Sequence, residues 1–454
     1  MDLETLIAQL DADGALVKVE REVDRHLEMA RVIRALDDRP ILFTNVRGMA
    51  TPVVANLCAR RAYLAQAVDV PVERLLFVLA EALAHPVEPP VVGRAPCQQA
   101  VELDVDLGRL PILTHTERDG GPYVTSGALI VRDADYGVNM AIHRLMQLDR
   151  RRFAIRLVED RGTHTAWKKS NGDLPVAICI GLPLHVLLAA AMSPAKGVNE
   201  LHIAQALAPT PLVRCRTNDL LIPAEAEWVL EGRLTHEVTA EGPFVDLTET
   251  YDMVRLQPVI EINCITHRRN ALYQALLPGR AEHKLLMGMP REPTIYAAVN
   301  QVCTCTNVCL TVGGMSWLHA VVQIDKRRAQ DGVLAAAAAF EGHRSLKHVV
   351  VVDVDVNPFD PHEVEWAMAT RFQADRDLLI FRDQPSSSLD PSATHVPGQK
   401  THTAKMGLDA TIPWVDHEGN ERTPEERLEF LRVDYEPVDL DEYLSPVHGV
   451  RSRE

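Results

Sequence analysis

Residues 241–246 read Glu-Gly-Pro-Phe-Val-Asp, two carboxylates five positions apart across a Gly-Pro turn. Acids that share a pocket can split their pKa values, so that one donates a proton while the other stays charged. Loop backbone held on a scaffold is where such chemistry gathers. Taken alone, the segment is an ordinary acidic turn in a chain with 63 Asp and Glu residues. Its company changes that. Arg144 is a permanent cation, and Asn139, His164 and Glu200 are side chains of ligand type.

Other constellations carry less. Cys303, Cys305 and Cys309 form a Cys-x-Cys-x3-Cys cluster, but a closed zinc site wants four ligands, usually in Cys-x2-Cys pairs. Buried small apolar residues explain these thiols better. The chain has neither a Gly-x4-Gly-Lys-Ser/Thr loop nor a Gly-x-Gly-x2-Gly fingerprint. Asp353, Asp355 and Asn357 open like a calcium loop, yet Pro358 stands where Gly is needed and Val364 where Glu is needed.

A formal charge of −16 excludes nucleic acid or an anionic membrane as the main partner, since both need a basic face. It does not exclude a small anionic substrate, because local arginines can reverse the global field. The N-terminal Met-Asp-Leu-Glu-Thr lacks the pattern of an export signal. Eight cysteines then read as free thiols in a reducing cytosol, and the expected location is cytoplasmic. Residues 176–192 are apolar enough to suggest a membrane span, but Gly181, Pro183 and His185 interrupt them. A buried strand, a break and a short core helix fit better.

These residues need a scaffold. Leu3, Leu6, Ile7 and Leu10 share a helical face; residues 15–19 read as a strand, Leu27, Ala30, Ile33 and Leu36 as a second helix, and 41–43 as another strand. A Pro-rich stretch at 86–96 reads as a linker. From about residue 100 to 290, short β-rich runs at 127–131, 153–158, 176–180 and 258–264 predict a mostly antiparallel sheet or barrel. Farther on, 334–340 reads as an Ala-rich core helix, 348–354 as a strand buried in a parallel sheet, 362–371 as a helix and 378–381 as a strand.

Four segments carry a resemblance. Asn139-Met-Ala-Ile-His-Arg144 is similar to the Asn-x-x-Ile-x-Arg segment of the UbiD decarboxylases. Residues 192–200 resemble their flavin-edge loop, which ends in Gly-Val-x-Glu. Thr217-Asn-Asp-Leu-Leu-Ile-Pro-Ala224 and Glu231-Gly232 lead into Glu241-Gly-Pro-Phe-Val-Asp246, and Lys405-Met-Gly-Leu-Asp-Ala-Thr411 follows near the C-terminus. Each is weak alone; in this order they cover the chain. The resemblance implies an α/β multi-domain protein: a small N-terminal α/β domain (1–98), a central split β-barrel that binds flavin (99–290), and a C-terminal α/β domain with a parallel-type sheet (291–425). Residues 426–454 are expected to form a C-terminal arm.

It also implies prenylated FMN as cofactor, supplied by a flavin prenyltransferase, with Mn²⁺ (or Mg²⁺) and a nearby K⁺. Asn139, His164 and Glu200 match the metal-ligand positions, a donor set suited to a hard divalent cation. Asn139, Ala141, Ile142, His143, Arg144, Ala191, Met192, Glu200 and Lys405 match cofactor-binding positions. Arg144, Glu241 and Asp246 match the catalytic set: Glu241 holds the Arg144 fork, and Asp246 is the proton donor, one methylene shorter than the Glu of many relatives. The implied reaction is reversible non-oxidative decarboxylation of an aromatic, heteroaromatic or α,β-unsaturated acid through a covalent adduct with the cofactor, which takes the electrons.

Cys309, Met315 and Trp317 are expected in the substrate wall. Apart from His319 that stretch is neutral, which favours a mono-acid with an aromatic or heteroaromatic ring. The run from Glu282-His-Lys to Met289-Pro-Arg-Glu292 also resembles the heteroaromatic branch. Homodimers or homohexamers are expected by analogy. Two other readings stay open at this point: an FMN-dependent split-barrel oxidoreductase, and a non-catalytic scaffold whose cysteines bind zinc.

Overall fold

The computed structural model describes residues 1–394, 401–433, 436–439 and 443. Its first helix, Leu3–Ala12, starts where the Asp2 carboxylate accepts the Thr5 backbone N–H at 3.0 Å, and it buries Leu3, Leu6 and Leu10. Such a cap satisfies an amide with no partner inside the helix. Strands Val17–Val19, Ile41–Phe43 and Val53–Ala55 form one sheet. Its fourth strand comes from far along the chain: Tyr273–Gln274 lies parallel to Val53–Ala55. The N-terminal unit is thereby stitched to the central one.

The central sheet has nine strands and every pairing is antiparallel. Its spine is a pair of long strands, Trp228–Glu241 and Arg255–His267. A Cβ on Gly232 would overlap the Glu261 carbonyl, so only glycine admits this close approach beside a register shift. Alternate residues of each inner strand feed different cores. Ala128, Ile130, Ala177 and Cys179 pack with helices Leu184–Ala191 and Glu200–Leu207; Leu129, Val131, Val176 and Ile178 pack with Ile41 and Phe43. Among the described residues the sheet is open, ending at Tyr123–Val124 and Gly137–Ile142. The expected mostly antiparallel sheet is thus seen, and among the described residues it does not close into a barrel.

The last sheet runs Thr304–Leu310, His319–Asp325, His348–Asp353, His402–Asp409, Leu378–Pro385. Its three central strands are parallel and its two edges antiparallel. Helix Asp331–Gly342 covers one face and Pro361–Arg371 the other. The apolar run at 348–354 is the middle strand, as its composition requires. Helix Pro424–Leu428 carries a capping box between Thr423 and Glu426. From there Arg371 Nη2 donates to the Phe430 carbonyl at 3.0 Å, docking the start of the expected arm on helix Pro361–Arg371. Most of the rest of 426–454 lies outside the described residues. No described helix is long and apolar enough to cross a membrane; residues 174–191 form a strand and a helix joined through Gly181 and Pro183.

Candidate active site

Strand Trp228–Glu241 ends on its functional residue. After Glu241 the chain turns through Gly242 and a cis Pro243, forms the two-residue strand Phe244–Val245, and reaches Asp246. Phe244–Val245 pairs with Tyr251–Asp252. Glu241 therefore sits on a sheet strand, not on loop backbone as its Gly-Pro neighbours suggest, and only Asp246 belongs to the turn.

Arg144 follows strand Gly137–Ile142 and points into this hairpin. Its Nε and Nη2 donate to the two Glu241 oxygens, both at 2.9 Å. Nη1 donates to Asp246 Oδ2 at 2.7 Å, and Nη2 also reaches Asp252 Oδ2 at 2.9 Å. Every nitrogen of the fork is engaged. The guanidinium lies 4.9 Å from the Phe244 ring centroid. Tyr123 Oη donates to Glu241 Oε1 at 3.1 Å, and Arg255 Nη1 donates to Asp252 Oδ1 at 2.5 Å. Burial works against the charge on Arg144, but Glu241, then Asp246 and Asp252, outweigh it and raise its pKa. Burial likewise pushes the Asp252 carboxyl up, and its bonds to Arg255 and Arg144 bring it below the usual value.

Asp252 and Tyr123 belong to this cluster and carry no signal in the sequence. His283, part of the Glu282-His-Lys run singled out in the sequence, is half-buried in helix Ala281–Gly288 and feels the Asp246 charge. Its Nδ1 accepts the Gly279 N–H at 3.0 Å.

The ligand-type residues gather on the other side of strand Gly137–Ile142. Asn139 Nδ2 is 3.4 Å from Thr163 Oγ1. A Cβ on Gly162 would overlap Asn139 Oδ1, so glycine lets helix Gly162–Lys169 begin against that amide. Glu200 Oε2 accepts the Met140 N–H at 2.9 Å; burial pushes its pKa up to about 7, and no cation pairs with it among the described residues. These hard oxygens suit a divalent cation. His164 is close but turned differently. Its Nδ1 accepts the Asp160 N–H at 3.1 Å, which leaves the proton of the neutral ring on Nε2. As placed, it does not present a lone pair to a metal through Nε2.

His143 bridges the Arg156 carbonyl (3.1 Å) and Thr163 Oγ1 (3.0 Å), and burial pushes its pKa down to about 4. It acts as a neutral strut. Ala141 and Ile142 line the half-exposed end of the same strand, while Ala191 and Met192 are buried where helix Leu184–Ala191 ends. Lys405 is buried with its ammonium donating to the Arg344 carbonyl at 2.8 Å; burial pushes its pKa down to about 8. It lines an apolar groove of about 500 Å³ with Phe340 and Phe381. That groove does not include the Arg144 cluster, whose interior is filled by its own ion pairs.

The expected substrate wall is divided. Cys309 is buried on strand Thr304–Leu310, near Arg61 and Glu292, with its thiol pushed up to about 12 by burial. Burial also raises the Cys303 and Cys305 thiols. No group of three or more described His, Cys, Asp or Glu residues could hold a metal. Met315 (φ 60°) and Ser316 turn the chain so that Ser316 abuts Gly288. Trp317 Nε1 donates to Ser387 Oγ at 3.1 Å, and its ring meets His343 edge-on at 4.4 Å. Arg291 lies over Trp317 at 5.4 Å, so the surroundings of this wall are not neutral. The charge comes from a separate segment, which the composition of 309–319 could not reveal.

The sequence matches three family profiles in order. They are the 3-octaprenyl-4-hydroxybenzoate carboxy-lyase N-terminal domain over residues 7–83, the Rift-related domain over 90–281 and the C-terminal domain over 284–410. An anhydromevalonate phosphate decarboxylase of Methanosarcina mazei is 42% identical over 434 residues, 94% of this chain and 100% of that protein. The UbiD-class enzyme HmfF of Pelotomaculum thermopropionicum, solved with FMN, matches with TM-score 0.90 and 39% identity over 97% of this chain and all of that one. An evolved dimeric form of it, solved with prFMN, matches with TM-score 0.87 and 37% identity over 98% and 100%.

Proposed function

This chain belongs to the UbiD family of carboxy-lyases, and from that premise we propose that it removes CO₂ from a conjugated carboxylic acid at the Arg144 cluster, with prenylated FMN as its cofactor. The observation that carries the reading is the fully engaged Arg144 fork on Glu241, with Asp246 on the same guanidinium. When bound, the flavin supplies the electron sink that loss of CO₂ from an sp² carbon requires.

The chain's own part is positioning and proton handling. Glu241 and Tyr123 fix the plane of the guanidinium before substrate arrives, so orientation is settled in advance. Both Asp246 oxygens accept hydrogen bonds, from Arg144 and from the Leu247 N–H at 2.7 Å, which holds the carboxylate in place. A substrate carboxylate that takes Arg144 Nη1 displaces Asp246. The freed Oδ2 can then pick up a proton and deliver it to the carbon that lost CO₂. Asp252 stays paired with Arg255 and keeps the hairpin in register. Asn139 and Glu200 are the residues that would hold a divalent cation beside the flavin phosphate, where it would offset phosphate charge.

For the substrate, the name of the Methanosarcina mazei relative supports an aliphatic acid that bears a phosphate over the ring acid favoured by residues 309–319. The test is co-expression with a flavin prenyltransferase, an absorbance spectrum, and a panel of unsaturated aliphatic, aromatic and heteroaromatic acids followed for CO₂. Release of CO₂ that depends on prenylated flavin supports the proposal. Turnover with plain FMN and a nicotinamide instead would replace it by the oxidoreductase reading.

A further inference from the structure

We propose that Arg291, with Trp317 beneath it and Arg161 nearby, recognises a phosphate monoester at the end of the substrate remote from its carboxylate. The inference rests on the functional reading above and names the substrate class for that site.

A buried cation without a partner is costly, so folded proteins pair such groups. Arg291 is half-buried, and among the described residues it has no carboxylate partner. Its Nε is closed off from solvent and has no hydrogen-bond partner. The next residue, Glu292, turns away to Arg61 and to the Leu310 N–H. The charge that does bear on Arg291 is another cation, Arg161, at the start of helix Gly162–Lys169. Burial, and then Arg161, push the Arg291 guanidinium down to about 9. Arg161, Arg291 and Lys405 all bear on His343, whose Nε2 lies 3.2 Å from the Trp317 carbonyl. Glu341 bears on Lys405 and is no counter-charge to Arg291.

Basic side chains from three separate segments thus act on the same histidine. Such an arrangement repels itself until an anion enters. The Trp317 face, pinned by Ser387, gives the guanidinium a flat support, which suits an arginine better than a lysine. A planar guanidinium can take a phosphate in a bidentate way.

Position supports the same occupant. Arg291 lies in the same helical run as His283, which extends from Ala281 to Val299, and His283 feels the Asp246 charge. The rise from His283 to Arg291 is about 12 Å. A substrate with one anionic group at Arg144 and another at Arg291 would have to span a distance of that order. A flavin phosphate offers the same chemistry, and the experiment must separate the two sources.

The experiment uses flavin-loaded protein, its flavin content measured by absorbance, titrated with n-butyl phosphate and separately with crotonate. In Arg291→Met, loss of a charged hydrogen-bond pair should weaken butyl phosphate about 10- to 100-fold, with crotonate binding and flavin content unchanged. Arg291→Lys should recover only part of the loss, and Arg161→Ala should weaken butyl phosphate alone by a smaller factor. Unchanged butyl phosphate affinity in Arg291→Met overturns the inference. So does loss of flavin, which would assign Arg291 to the cofactor phosphate. If wild type decarboxylates no acid but binds butyl phosphate in an Arg291-dependent way, the subsite stands while the decarboxylase reading falls.

Discussion

The Arg144 side chain is almost wholly buried and Arg291 is half-buried, and the protein treats them in opposite ways. Arg144 is surrounded by Glu241, Asp246 and Asp252, and its charge is more than compensated. Arg291 has an indole face and a second arginine, and its charge is left over. The first arrangement fixes a geometry before substrate arrives. The second leaves a place that only an anion can complete. One arginine is set for positioning and the other for recognition.

The largest expected effect breaks the first arrangement. Arg144→Ala leaves three carboxylates facing one another without their cation, and should cost about 3–5 kcal/mol of stability as well as all measurable turnover; thermal denaturation and CO₂ release report the two losses. Next, Asp246→Asn keeps the shape but cannot deliver a proton. It should lower kcat by about 10²- to 10⁴-fold with melting temperature and flavin spectrum near wild type, which steady-state kinetics at matched flavin content will check.

A smaller effect separates the third carboxylate from the two with proposed roles in turnover. In the folded protein the bonds from Arg255 and Arg144 hold the Asp252 carboxyl below the ordinary aspartate value of 3.8. Its contribution to stability is therefore complete above about pH 4 and is lost as pH falls through the lower folded value. Asp252→Asn should flatten the fall of melting temperature below pH 4 and change kcat far less than Asp246→Asn. An unchanged acid limb would remove Asp252 from the cluster's energetics. The smallest effect completes the contrast. Arg291→Met removes a charge that nothing on the protein compensates, so its melting temperature should stay level or rise, opposite in sign to Arg144→Ala. A fall as large as that of Arg144→Ala would mean that Arg291 is structurally paired after all.

Much of this was legible in the sequence. Leu3, Leu6 and Leu10 announced the first helix through their 3.6-residue spacing, and residues 348–354 announced the central parallel strand through their β-branched run. Arg144, Glu241 and Asp246 were visible as motif residues, and the structure brings them into contact. The misses share a cause, which is that tertiary partners leave no local pattern. Strand Trp228–Glu241 mixes buried and exposed residues across two register shifts, so its fourteen residues show no clean alternation. Asp252 reaches Arg144 only because a two-residue ladder pairs it with Phe244. Arg291 was visible within a familiar-looking run, but the missing counter-charge that gives it meaning is a property of space.

The account is tested most directly by following ¹³CO₂ from a carboxyl-labelled unsaturated acid, with flavin-loaded wild type and Arg144→Ala compared at equal flavin content. The account predicts labelled CO₂ in step with product from wild type, and none above background from the variant. Release at the wild-type rate from Arg144→Ala, or product that keeps its label, would contradict it.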